Sequence, residues 1–278
     1  MKKLRLILLV LSSFLLVLPA CAPVEPQEEL PEEPPEAPPE ELPEDPPEAP
    51  PEELPEDHPE EPSKELPVYT RNTIARFGDF DFELWSQNID DVSMTLTGGG
   101  TFECEWTNAY NVLFRMGRKL GSINTYREYG EIFFDYAAEH NIIRGDVSYL
   151  CVYGWTEDPL IEFYVIENHG RYKPPGGIGF VDRIEVDGCL YDVYEATRTE
   201  QPSIQGIRTF QQYFSVNRSR RTEGTISLHE HFKAWEELGL DMSGKMYEVA
   251  LCVEGYRSSG NANVYRNIMT IGDVVYGN

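Results

Sequence analysis

Pro159-Leu-Ile-Glu-Phe-Tyr-Val-Ile-Glu-Asn-His-Gly170 decides the fold class, because its side chains alternate as on a β-strand. Ile161, Phe163 and Val165 form a core face, while Glu162 and Tyr164 project from the other side, into a cleft or into water. A second run repeats the arrangement: Val249, Leu251 and Val253 alternate with Ala250, Cys252 and Glu254, and Gly255-Tyr-Arg-Ser-Ser-Gly260 reads as the close of that strand. A lone glutamate on a solvated strand face is ordinarily a solubilising residue. Two of them on similar strands invite pairing as acid, base or nucleophile.

Working outward, the same alternation recurs. Phe80, Phe82 and Leu84 oppose Asp81, Glu83 and Trp85; Val92, Met94 and Leu96 oppose Ser93, Thr95 and Thr97; Leu150 and Val152 oppose Cys151, Tyr153 and Trp155. Gly98-Gly-Gly100 and Gly176-Gly177 punctuate the runs. The pattern predicts an all-β domain of two sheets packed face to face, with one outer face free to carry a site. One helix is predicted over residues 231 to 238, where Phe232, Trp235 and Leu238 recur at helical spacing and Gly239 follows as a stop. Residues 127 to 140 fit strand and helix equally.

Ahead of this domain the composition changes twice. Residues 1 to 20 have a basic head (Lys2, Lys3, Arg5) and an apolar run, which predicts a secretory signal too short to span a membrane. Residues 21 to 67 are Pro- and Glu-rich, and the unit at 34 to 45 is repeated at 46 to 57. Such a segment forms no core; it is expected to be a disordered, extended spacer, on the order of 140 Å long at ~3.1 Å per residue. It carries a net −17 and the leader a net +3, which together leave −11 of the total −25 for residues 68 to 278. An acidic domain argues against nucleic acid as a partner, and the basic run Arg218-Ser-Arg-Arg221 is expected to be a solvated strand end.

Cys104, Cys151, Cys189 and Cys252 permit three full pairings in an exported protein, but their spacing matches no disulfide framework and they are expected to be unbridged. His229 and His231, two apart, would not share a helical face, and no metal site is expected.

Pro159-Leu-x-Glu162-Phe-Tyr164 and Val253-Glu-Gly-Tyr-x-Ser-Ser-Gly260 resemble, together and in order, the two active-site signatures of the family 11 glycoside hydrolases, the small endo-1,4-β-xylanases. The resemblance implies a β-jelly roll of two bent antiparallel sheets, with a substrate cleft on the inner curved face and one α-helix behind. It implies catalysis by Glu162 as nucleophile and Glu254 as general acid/base, without a cofactor and with retention of configuration. In that mechanism the two carboxyls stand about 5 to 5.5 Å apart. Tyr153 and Tyr164 match tyrosines around the nucleophile, and Asn111 matches a residue that hydrogen-bonds the acid/base. Trp85 matches an aromatic sugar platform, Arg198 and Gln212 match sugar contacts, and Pro202, Ser203 and Ile204 match the tip of a loop, the thumb, that closes over the cleft. Phe163, Phe214 and Glu157 depart from the commoner residues of the family, and its Gly-Lys-Gly-Trp is absent after Arg115-Met-Gly117.

The resemblance therefore implies a monomer acting on xylan and xylooligosaccharides. Leu18-Pro-Ala-Cys21 also resembles a bacterial lipobox, which would attach the exported protein to the cell surface through lipid on Cys21; without lipid it would be secreted. A β-1,4-glucanase, a non-catalytic carbohydrate-binding module and a purely structural surface lipoprotein are the alternatives.

Overall fold

Alternating apolar residues bury one side of a strand and leave the other for a second environment. The computed structural model describes residues 65–88 and 91–277. The leader, Cys21 and all of the spacer before Glu65 lie outside the described residues. The strands are β1 (Val68–Tyr69), β2 (Thr73–Phe77), β3 (Phe80–Ser86), β4 (Val92–Gly98), β5 (Thr101–Lys119), β6 (Ile132–Arg144) and β7 (Val147–Glu157). After these come β8 (Ile161–His169), β9 (Phe180–Val186), β10 (Cys189–Ser203), β11 (Gly206–Asn217), β12 (Glu223–Ser227), β13 (Lys245–Ile271) and β14 (Val274–Tyr276). Among the described residues two helices accompany them, α1 (Tyr126–Tyr129) and α2 (Leu228–Glu237).

Strand order along the main path is β1-β4-β5-β13-β7-β8-β11-β10-β9, with β2 joined to β3, β3 to β5, β6 to β13 and β12 to β6. The two layers of the jelly roll are continuous through β5 and β13. The first half of β13 pairs with β7 and its second half with β6, and a register shift between Ser258 and Gly260 marks the change. Residues 255 to 260 thus do not close the strand as expected; they bulge and turn it into the other layer. The antiparallel expectation also has one exception, since β8 and β11 run parallel.

The two faces of each strand feed different clusters. Leu84, Leu150, Val152, Phe163 and Val165 join the core between the layers. Cys151, Tyr153, Trp155, Tyr164 and Phe214 join a second, mostly aromatic cluster with Trp85 packed on it. The second face is thus a cleft floor rather than a solvated surface. Burying aromatic side chains on both faces stabilises the sheet by roughly 1.5–3 kcal/mol each.

Helix α2 begins three residues earlier than predicted. Leu228 stands one turn before Phe232 and completes the buried stripe Leu228, Phe232, Trp235, while Gly239 at φ 88° ends the run. Its indole Nε1–H, on Trp235, donates to Ser215 Oγ at 2.9 Å, which ties the helix to β11. His229 and His231 are both buried on this helix. In the ambiguous stretch, Thr125 and Glu128 cap the single turn α1 reciprocally, Gly130 ends it, and Ile132, Phe134 and Tyr136 then alternate into β6. The four described cysteines are free thiols, with Cys151 and Cys252 facing one another across β7 and β13.

The basic run departs from the sequence reading at one residue: Arg218, Ser219 and Arg220 are exposed, as expected of a solvated strand end, but Arg221 is half-buried. Its guanidinium pairs with Glu167, which is fully buried on β8 and also accepts from Tyr191 Oη at 2.7 Å and Tyr136 Oη at 3.0 Å. Glu167 continues the core face of Ile161, Phe163 and Val165, at the point where the β7–β8 register shifts.

Candidate active site

Glu162 stands on β8 opposite Trp155 of β7 and beside Gln212 of β11. Only 8% of it is exposed. Tyr153 Oη donates to Glu162 Oε1 at 2.8 Å and Tyr164 Oη to the same oxygen at 3.1 Å. Gln212 Nε2 donates to Oε2. Tyr153 is itself oriented from behind, because Trp155 Nε1–H donates to its oxygen at 2.6 Å. Burial raises the pKa of the Glu162 carboxyl, while these three neutral donors and the charge of Arg198 pull the other way. The result is a carboxylate pinned in one orientation without an ion pair.

Glu254 stands on β13 opposite Leu113 and Tyr149, with β7 separating its strand from that of Glu162. Its Oε2 is buried without a hydrogen-bond partner. Burial pushes the Glu254 carboxyl up to about 8, and the negative charge of Glu162 adds to that shift against the charges of Arg115 and Arg198. The bent sheet therefore brings the two glutamates within electrostatic reach of each other across one strand. Gly255 next to it is required by packing. A Cβ there would fall 2.5 Å from Nε1 of Trp106, whose indole lies against the strand and donates to Ser258 Oγ at 3.0 Å.

Asn111 is on β5, two residues from the position opposite Glu254 and on the same face. No hydrogen bond joins the two: Asn111 Oδ1, like Glu254 Oε2, is buried and unpartnered. Trp85 is half-buried on β3 against the aromatic cluster. Phe214, where tryptophan is commoner, stacks on Tyr164 with centroids 4.9 Å apart and planes at 12°.

Pro202, Ser203 and Ile204 lie at the tip of the β10–β11 hairpin, closed by Ser203 Oγ donating to Gly206 O at 2.7 Å. Ile204 packs on the cleft cluster, so the tip lies over the cleft. Gln205 Nε2 donates to Glu157 Oε1 at 2.7 Å, and Ser122 holds the other oxygen of Glu157. Arg198, at the base of the hairpin, is exposed and close enough to influence both glutamates.

Sequence reasoning missed one neighbour of the site. Arg115 is buried between Glu83 and Glu248, and Lys119 closes the square to the same two carboxylates. The guanidinium lies 5.2 Å from the ring centroid of Tyr153, beneath the hydroxyl that holds Glu162. Alternating charges on β3, β5 and β13 were the available signal, but their pairing needs contacts between residues up to 133 apart in sequence.

The comparisons with known proteins bear on the chain as a whole. The family model described as glycosyl hydrolases family 11 matches residues 78–265. Endo-1,4-beta-xylanase A of Bacillus pumilus is 48% identical over 204 residues, covering 73% of this chain and 87% of the relative. Endo-1,4-beta-xylanase A of Thermoclostridium stercorarium is 53% identical over 201 residues, covering 72% of this chain and 30% of the relative. A protein of Ruminococcus flavefaciens named xylanase/beta-glucanase is 40% identical over 201 residues, covering 68% and 25%. The chain spans about a third of the length of several relatives that it matches, at 30%, 33% and 38%. The solved family 11 xylanase from Neocallimastix patriciarum, 34% identical, superposes with a TM-score of 0.67 over 73% of this chain and 99% of that chain. Because the match runs through both glutamate-bearing strands, from residue 78 to residue 265, this chain belongs to glycosyl hydrolases family 11.

Proposed function

We propose that the chain is an endo-1,4-β-xylanase acting with retention, in which Glu162 is the nucleophile and Glu254 the general acid/base. The observation that carries the reading is the unlike treatment of the two carboxyls. Glu162 is held by three neutral donors, whereas Glu254 has a sealed, unpartnered oxygen and a pKa pushed up to about 8. Environments that separate two carboxyl pKa values assign acid and base roles.

Glu162 attacks the anomeric carbon as the protonated Glu254 gives its proton to the departing glycosidic oxygen. The Glu162–sugar ester then carries no charge, so the repulsion that helped to raise the Glu254 pKa is gone. Glu254, now ionised, takes a proton from water, whose oxygen displaces Glu162 and restores the free enzyme. Trp85 supplies a flat apolar surface for a sugar ring, and the thumb tip covers the cleft.

The test is product analysis on unbranched xylan with the wild type and Glu162→Gln side by side. Short xylooligosaccharides with the β configuration in the first-formed product are expected from the wild type alone. An inverted product would overturn the pairing. A β-1,4-glucanase activity is the second reading, favoured by the name of the Ruminococcus relative, and faster reducing-sugar release from carboxymethylcellulose than from xylan would establish it.

The same proposal places the protein outside the cell as a monomer, anchored through lipid on Cys21, on the strength of Leu18-Pro-Ala-Cys21 after an apolar run. Cys21→Ser is expected to move the activity from the membrane fraction to the medium. Equal membrane retention of both forms would exclude the anchor.

A further inference from the structure

Past Glu254, β13 carries Tyr256 on the same face and then Arg257, at the bend where the strand changes layers. Across the sheet, Asn111 of β5 is paired with Tyr256, and Tyr110 precedes it. Tyr110 and Tyr256 meet edge to face, with centroids 5.5 Å apart. The Arg257 guanidinium lies over both rings, 5.1 Å from one centroid and 5.3 Å from the other. Its Nη2 reaches Tyr110 Oη at 3.5 Å.

Three features set this arginine apart from a solubilising one. It is exposed, yet stacking on two aromatic faces holds it in place. Its backbone is left-handed, at φ 47°, a conformation that costs energy for a residue with a side chain and that concentrates at functional sites. No carboxylate lies within ion-pair distance of it among the described residues, in a folded part whose net charge is −11. The charge of Arg198 also reaches the Tyr256 hydroxyl.

An unsubstituted xylan chain is neutral and offers an uncompensated guanidinium only hydroxyl groups. A sugar bearing a carboxylate offers much more: its apolar ring face stacks on tyrosine, and its planar carboxylate matches the fork of N–H donors on arginine. We propose that Tyr110, Tyr256 and Arg257 form a subsite beside the general acid that binds a uronic-acid branch of the polysaccharide, with Arg257 pairing to the carboxylate. The proposal rests on the xylanase reading above and adds to it a preference for acid-substituted xylan.

The experiment compares kcat/KM for linear xylooligosaccharides with and without one uronic-acid branch, in the wild type and in Arg257→Gln. The ratio of branched to unbranched substrate is expected to fall about three- to tenfold in the variant. Raising the salt to about 0.5 M is expected to narrow the wild-type ratio and leave that of the variant little changed. An unchanged ratio, or equal losses on both substrates, would overturn the subsite. Should the wild type cleave neither substrate, the xylanase reading itself fails. Calorimetric binding of the same two oligosaccharides to both proteins then decides the subsite by the same ratio.

Discussion

Glu162 and Glu167 stand five residues apart on one strand, both buried, and they have opposite fates. Glu162 turns to the cleft and is held by two tyrosines and a glutamine, none of them charged. Glu167 turns to the core and is held by an arginine, two tyrosines and Asn217. A carboxylate neutralised by a buried cation is a structural fixture, because removing either partner leaves an uncompensated charge in a region of low polarity. A carboxylate held only by neutral donors stays available to a cationic centre that develops in the cleft. The difference lies in the partner chemistry, since burial is nearly equal at the two positions.

The largest effect expected from breaking this contrast is on turnover. Glu162→Gln is expected to lower kcat by at least ~10³-fold with no loss of melting temperature. Glu167→Gln is expected to cost about 3–5 kcal/mol of stability, read as a fall of roughly 2–4 °C per kcal/mol in thermal unfolding, with kcat of the folded protein within about threefold. Comparable destabilisation in both variants would erase the distinction.

The next effect is on pH. The kcat/KM profile is expected to be bell-shaped, its alkaline limb set by Glu254 near the value of about 8 and its acid limb by Glu162, above the ordinary 4.5. Because burial comes before the charge of Glu162 among the causes, Glu162→Gln is expected to lower the Glu254 pKa by about one unit and leave it above 4.5. A carbon NMR titration of the Glu254 carboxyl reads this directly. The folded pKa of Glu254 is raised above its unfolded value, so its contribution to stability is complete below about 4.5 and is lost as pH rises through about 8. Glu254→Gln is therefore expected to flatten the decline of melting temperature across that window, and an unaltered slope would contradict the shift.

A third carboxylate sharpens the contrast with the smallest effect. Glu157 is also held by neutral donors, Ser122 and Gln205, but at the thumb and near solvent. Its bond to Gln205 is worth about 0.5–1.5 kcal/mol, so Gln205→Ala is expected to raise KM for polymeric xylan about two- to tenfold with little change in stability. Unaltered KM would mean that this contact does not hold the thumb down.

Much of this was legible in residue order. The alternation of Ile161, Phe163 and Val165 against Glu162 and Tyr164 assigned both faces of β8, and the opposed sets around Leu150 and Tyr153 proved to be the walls of two clusters. Residues 127 to 140 were not legible, because a capped helical turn and a strand meet within one window and each spoils the period of the other. The start of α2 was missed because Leu228 directly follows the strand residues Ile226 and Ser227.

By itself the sequence determined which residues share a strand face, where the helix stops, and which two glutamates resemble a catalytic pair. These depend on composition, on periods of two or about 3.6 residues, and on short motifs, all of them local. Only the tertiary structure decided that Glu162 meets neutral donors and Glu167 an arginine, that Arg115 is shared between Glu83 and Glu248, and that the thumb rests on Glu157. The partners of a buried charge are brought by strands distant in the chain, from Arg221, 54 residues beyond Glu167, to Glu248, 133 beyond Arg115. The free energy of a charge depends on those partners and on the water they exclude, and neither is carried by the local order of residues.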